Sequence, residues 1–247
     1  MSSNQAVQLL REKGYTYLNQ PYAEPIFTEN ADADKLLDDL QNFPHAFTLA
    51  CVMDRQVGAN RAWMIPYEVS QEIGGFSFKQ LLNLSLEQAN DIFRKRSLHR
   101  FPSVMAKNFY LAVQRIHSDY GDNAASIWTE NLRSGTIVRR FLAFKGAGVK
   151  IATMAANILA RDFKVPMQDL NCIDISPDVQ VRRVFTRLGL ISKEAKEADI
   201  LYCARELNPE YPGVFDLPCW ELGQELCRPT NPLCLQCFLS QLCPKKV

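Results

Sequence analysis

The 247-residue sequence predicts an all-α protein, and three observations carry that prediction. Glycine is sparse, at 11 residues. No stretch sustains the apolar/polar alternation of a half-buried strand. Apolar residues recur instead on one face of successive helical segments. No internal repeat is visible.

The elements follow in chain order. Tyr22–Thr28 reads as extended or loop, because Pro and Asn/Asp collect there. Ser85 to Lys95 opens with a capping box, Ser85 to Gln88, which marks a helix start. From Met105 to His117, Phe109, Ala112, Val113 and Ile116 share one face. Ile137 to Phe144 and Val149 to Ala160 form two more helical patterns, joined at Lys145-Gly146-Ala147-Gly148. In the second, Lys150, Thr153, Asn157 and Arg161 make a polar stripe opposite Ile151, Ala152, Ala155, Ile158 and Leu159. Phe163–Pro177 and Leu207–Pro218 read as loops. Between them a helix starts with Ser176 as N-cap, Pro177 at the first position and Asp178 in the first turn, and Val181, Val184, Phe185 and Leu188 are its apolar face.

At 47% hydrophobic and 22% charged residues, the composition is that of a globular protein and excludes a disordered tail. No run of eighteen apolar residues exists, which excludes a transmembrane helix. Met1 to Leu10 lacks the basic-then-apolar pattern of a signal peptide, so the expected location is cytoplasmic, at the nucleoid in a prokaryote. The net charge of +1 excludes binding nucleic acid by bulk charge alone. That balance is uneven, at −4 over the first 40 residues and +5 over the rest.

Eight cysteines without a secretion signal read first as metal ligands or redox groups. Cys51, Cys172 and Cys203 lie among apolar neighbours, as core thiols do, and Cys219 precedes Trp220 outside the pattern that follows. Cys227, Cys234, Cys237 and Cys243 form a C-x6-C-x2-C-x5-C array that can wrap one soft centre, zinc or an iron–sulfur cluster. Structural zinc usually takes two close pairs, and here only Cys234 and Cys237 are close; a larger cluster tolerates the wider spans. Gly146-Ala147-Gly148 offers backbone N–H groups at a helix N-terminus, a place for a phosphate oxygen, although a plain connecting turn has the same pattern. By composition alone Lys150 reads as a solvated helix lysine, and Asp178 as a carboxylate complementing a helix dipole.

Cys227-Arg-Pro-Thr-Asn-Pro-Leu-Cys234-Leu-Gln-Cys237-Phe-Leu-Ser-Gln-Leu-Cys243, with its helical lead-in from Trp220 through Gly223, resembles the [4Fe-4S] loop of the endonuclease III family of helix-hairpin-helix DNA glycosylases. Phe144-Lys-Gly-Ala-Gly-Val-Lys150-Ile-Ala152 resembles the family's L-P-G-x-G-x-K-T-A hairpin, with Phe144, Lys145 and Ile151 as departures. Asp178-Val-Gln-Val-Arg-Arg183-Val184 resembles its V-D-T-H-x-x-R-V segment, with Val179 and Gln180 replacing Thr and His. Asp169 and Asp174 are rival carboxylates without that register. Thr48-Leu-Ala-Cys-Val-Met-Asp54-Arg55-Gln56 resembles the helix whose glutamine enters the gap left by a flipped base, with Asp54 and Arg55 departing from the usual small residues. Met105-Ala-Lys-Asn108 is similar to the S-K-A-x-N helix, preceded by a loop in which His99 or Phe101 is a candidate wedge. Beside it, Arg94, Lys95, Arg96 and Arg100 read as a solvated face or a phosphate track.

The resemblance spans roughly residues 45–247 and implies a two-lobed fold: a six-helix barrel lobe with the hairpin over 37–170, and a cluster lobe from 1–36 and 171–247. It implies a monomeric base-excision glycosylase acting on double-stranded DNA with a damaged base or abasic site, with AP lyase activity and no membrane partner. Lys150 would attack the sugar C1′, and Asp178 would assist cleavage of the C1′–N bond. Gln56 and Arg55 would meet the opposite strand, while Lys145, Gly146 and Gly148 would hold a phosphate. Cys227, Cys234, Cys237 and Cys243 would bind the [4Fe-4S] cluster, flanked by Arg228, Lys245 and Lys246. A monofunctional mismatch or alkylated-base glycosylase, or a non-catalytic damage binder, are the alternatives.

Overall fold

A computed structural model describes residues 2–245. Among these residues the regular structure is helical, with no strand. The chain divides into two compact units: Met1–Tyr22 with Arg133–Gly135 and Ala156–Val247, and Ala23–Leu132 with Thr136–Ala155. No helix among the described residues is long and apolar enough to cross a membrane.

The first unit begins with α1 (Ser2–Asn19). The second holds α2 (Ala31–Asp38), α3 (Pro44–Met53), α4 (Ala59–Ile73), α5 (Phe78–Leu82), α6 (Leu86–Lys95) and α7 (Pro102–Tyr120), most of α8 (Ser134–Leu142) and the start of α9 (Val149–Arg161). Ser85 caps α6 with the predicted box: its hydroxyl accepts from the Gln88 N–H, and the Gln88 side chain accepts from the Ser85 N–H. All ten residues of α3 are buried, as a decapeptide without a formal charge allows, and the helix packs on α2, α4 and α7. Phe47 on α3 meets Trp63 and Trp128 at ring distances of 5.9 Å and Phe141 at 6.5 Å. Burying each such ring contributes roughly 1.5–3 kcal/mol.

The rest of the first unit comprises the end of α9, α10 (Val179–Leu188), α11 (Glu197–Leu207) and α12 (Asp216–Glu225). Here α10 lies against α12 so closely that a Cβ on Gly223 would stand 2.6 Å from the Gln180 Cβ. α1 packs on α12, where Tyr17 Oη donates to Glu221 at 2.5 Å and Lys13 pairs with the same carboxylate at 3.1 Å.

Three local expectations change. Leu207–Pro218 is not wholly a loop, since Pro212–Phe215 forms a 3-10 turn and α12 begins at Asp216; Pro218 fits because the first turn needs no N–H bond. The polar stripe of α9 is solvated only in part. Thr153 and Asn157 are buried, Thr153 bonding back to the Val149 carbonyl at 2.9 Å and Asn157 taking a bond from Tyr211 Oη at 2.8 Å. Cys172 is exposed rather than core, whereas Cys51 is buried.

Candidate active site

The turn between α8 and α9 closes through the Ala147 N–H and the Phe144 carbonyl at 3.1 Å. Phe144 is buried against Tyr120 and Phe141, so the family leucine is replaced by a larger core anchor. Gly146 has φ +92°, and a Cβ there would lie 2.5 Å from Asn108 Nδ2 and 3.6 Å from an Arg55 guanidinium nitrogen. Both its backbone angle and its neighbours therefore demand glycine. Gly148 is different: a Cβ would meet nothing within 4 Å, so packing does not explain it. What its missing side chain leaves is open space beside the first N–H groups of α9, which have no intrahelical acceptor. Lys145 is exposed at the tip.

Lys150 is the second residue of α9, and its Nζ stands 3.0 Å from Asp54 Oδ2. The lysine side chain is 40% exposed and the aspartate 6%. Asp54 caps the C-terminal end of α3, its N–H bonded to the Cys51 carbonyl at 3.1 Å. A buried carboxylate requires a partner, and Lys150 supplies the charge. The following residue, Arg55, is exposed and accepts at its carbonyl from His99 Nε2 at 2.8 Å. His99 Nδ1 accepts from the Phe101 N–H at 3.0 Å, which assigns the ring proton to Nε2. Burial, with the Arg61 and Arg55 charges, pushes this imidazole below its usual value despite the bond to the Arg55 carbonyl. His99 thus clamps the turn instead of serving as a wedge, and Phe101 is the exposed ring of the pair. Gln56 is exposed in the left-handed region, at φ +56°.

In the first unit, Asp178 is itself the N-cap of α10, the place expected for Ser176. Its Oδ1 accepts from the Gln180 and Val181 N–H groups, both at 2.8 Å. Ser176 lies further back, its N–H donating to Asp216 Oδ1 at 2.7 Å. Burial pushes the Asp216 carboxyl up to about 6, against the opposing pull of the Ser176 N–H and Arg161. The rival Asp174 is held bidentately by Arg205 at 2.7 Å, and Asp169 is taken up by the Ser134 hydroxyl and N–H.

Cys227, Cys234, Cys237 and Cys243 line one cavity of about 340 Å³, together with Val184, Leu188, Leu222 and Leu239. Among the described residues, no group of three or more His, Cys, Asp or Glu side chains could hold a single metal ion. One tetrahedral zinc would need thiolate sulfurs about 3.8 Å apart, from its bond length of about 2.3 Å. Four thiols spread around one largely apolar cavity fit a multi-atom cluster better than a lone ion. Arg187 on α10 faces the loop, donating to Cys227 Sγ at 3.3 Å and to the Arg228 carbonyl at 2.7 Å. Lys246 lies outside the described residues.

No family model matches the chain. Endonuclease III of Thermotoga maritima is 28% identical over 106 residues, which are 43% of this chain and 45% of that protein. The matched stretch is thus less than half the length of that relative. An endonuclease III trapped as a covalent intermediate with DNA superimposes with a TM-score of 0.63 at 16% identity, covering 98% of this chain and 96% of that one. The chain has the endonuclease III fold. A thermostable thymine-DNA glycosylase matches this endonuclease III fold with a TM-score of 0.64 at 16% identity, over 98% and 97% of the two chains. An 8-oxoguanine glycosylase/lyase of Clostridium acetobutylicum gives 0.56 at 16% identity, over 78% and 67%.

Within the endonuclease III fold, the second unit brings together Lys150, Asp54, Arg55 and Asn108 around the hairpin, while Asp178 and the four cysteines lie in the first. The basic run before α7 is largely spent: Lys95 and Arg96 pair with Glu72 at 2.7 and 2.5 Å, and Arg94 donates to Ser103 at 2.9 Å. Sequence reasoning noted Asp54 as a departure but missed it as the partner of Lys150. The available signal was a lone acid ending ten uncharged residues, since such an acid must find a cation.

Proposed function

We propose that this endonuclease III-type protein is a base-excision DNA glycosylase with associated AP lyase activity, acting on duplex DNA that carries a damaged base or abasic site. The observation that carries the reading is the amine of Lys150, placed directly after the hairpin and held 3.0 Å from the buried Asp54. Open space at Gly148, the N–H groups of α9 and the exposed Lys145 suit a DNA phosphate and need no large net charge. Exposed Arg55 and Gln56, on the turn that His99 pins, are the candidates to meet the opposite strand once a nucleotide is flipped out.

Asp178 is held in place by capping α10, and a fixed carboxylate of this kind would stabilise the cationic sugar as the C1′–N bond breaks. Lys150 then forms a bond from Nζ to C1′, and the C1′–O4′ bond opens as O4′ takes up a proton and Nζ loses one. From the resulting iminium, loss of the C2′ proton with departure of the 3′ phosphate cuts the strand. Cys227, Cys234, Cys237 and Cys243 would hold a [4Fe-4S] cluster, whose role is to fix the C-terminal loop.

Borohydride trapping on a panel of lesion and abasic duplexes tests this. Wild type is expected to give a covalent adduct that Lys150→Gln abolishes. Full trapping by Lys150→Gln removes the lysine assignment, and free base released without strand scission selects a monofunctional enzyme. A broad visible absorption band lost in Cys237→Ser is the corresponding test of the cluster.

A further inference from the structure

Asp54 is poorly explained as a structural residue. It ends α3, where the helix dipole disfavours an anion, and it is buried, where an anion is disfavoured again. Nothing in the local helix calls for an acid there. The groups around it leave one protonic partner. Cys51, a turn earlier on α3, is buried, and burial together with the Asp54 charge pushes its thiol well up, so it keeps its proton. His99 is neutral and bonded to the Arg55 carbonyl, and the Arg55 guanidinium extends over Gly146. Lys150 Nζ, from α9, makes the hydrogen bond.

The pair is also asymmetric. The lysine side chain retains 40% of its exposure and the carboxylate 6%, so the amine can move outward while the acid stays fixed. An ammonium held against a carboxylate is not a nucleophile, because its lone pair carries a proton. Removing water from such a pair disfavours both charged forms, so a duplex covering the site drives the proton from nitrogen to oxygen.

We propose that Asp54 is the positioning residue that takes the Nζ proton of Lys150 when DNA closes over the pair, releasing the amine for attack at C1′; this rests on the lyase reading above. One proton passes from Nζ to Oδ2. The freed lone pair forms the Nζ–C1′ bond as the C1′–O π bond of the opened abasic sugar breaks, and the oxygen takes up a proton. Water then leaves with that hydroxyl and a second nitrogen proton, giving the C1′–Nζ iminium that borohydride reduces.

The experiment is single-turnover borohydride trapping on an abasic duplex from mildly acidic to alkaline pH, with wild type, Asp54→Asn and Asp54→Glu. Duplex binding and thermal melting are measured alongside. Wild type is expected to show a rate that levels off across neutral pH. Asp54→Asn should bind DNA normally yet trap on the order of 100-fold more slowly at neutral pH. Its rate should climb about tenfold per pH unit, as solution replaces the missing acceptor. Asp54→Glu, which keeps a carboxylate, should restore the level region. Equal rates and profiles for wild type and a folded Asp54→Asn overturn the inference while the lyase reading stands. A wild-type rate climbing tenfold per unit through neutral pH overturns it without recourse to any variant. No trapping by wild type at any pH removes the lyase reading, and this inference with it.

Discussion

Arg183 Nε donates to the carbonyl oxygen of Cys227 at 2.5 Å, binding the middle of α10 to the first residue of the cysteine array. The same guanidinium reaches the Gly223 carbonyl at 2.8 Å and the Gln180 side chain. The arginine that aligns with the family's R-V pair is therefore a brace between the helix capped by Asp178 and the cysteine loop. Its replacement by alanine leaves two backbone carbonyls short of a charged donor. Arg183→Ala is expected to cost about 2–4 kcal/mol, at roughly 1.5–3 kcal/mol per charge-assisted bond with partial relaxation. Arg183→Lys should recover little of this, because a single ammonium cannot span both carbonyls. Urea midpoints of the two variants check the expectation.

Asp178 caps a helix and is proposed to act in catalysis, and the two roles separate by substitution. Asparagine caps as well as aspartate, so Asp178→Asn should hold stability within about 0.5 kcal/mol, whereas Asp178→Ala should lose about 1 kcal/mol. Base excision should fall on the order of 10²-fold or more in both variants. Near wild-type excision by Asp178→Asn leaves the residue as a cap alone.

Gly146→Ala places a Cβ 2.5 Å from Asn108 Nδ2 at φ +92°. The strain is expected to cost about 1–3 kcal/mol. Because the same turn presents the N–H groups of α9, duplex affinity should fall along with stability. Gly148→Ala meets no neighbouring atom within 4 Å and should leave the melting temperature unchanged while weakening DNA binding. Unchanged binding by Gly148→Ala counts against phosphate capture at this turn.

Asp216 gives a pH signature. Burial raises its folded-state value from 3.8 to about 6, so the folded chain binds this proton more tightly than the unfolded chain. A raised carboxyl favours folding at low pH, and that advantage is lost as pH rises from about 4 to about 6. Above that window the ionised group costs roughly 3 kcal/mol, from about 1.4 kcal/mol per unit. Asp216→Asn keeps an acceptor for the Ser176 N–H and should be more stable than wild type above pH 6, with the difference vanishing near pH 4. Parallel curves for the two proteins across that range contradict the assignment.

The sequence by itself determined the helical class, the capping box at Ser85, the tight turn at Gly146 and the cysteine array, because each rests on interactions within a few residues. Helix periodicity, a positive φ and thiol spacing are all local. What it misplaced were choices between local near-equals that distant packing settles. Ser176 and Asp178 are both competent caps, and the Asp216 carboxylate, 40 residues downstream, engages the Ser176 N–H while Asp178 caps the helix. Thr153 and Asn157 read only as part of a polar stripe, because the partner of Asn157, Tyr211, is 54 residues away from it. Only the tertiary structure brought Asp54 to Lys150 across 96 residues. A buried carboxylate accepts any cation that reaches it, so the sequence states that Asp54 needs a partner and the fold alone decides which one it meets.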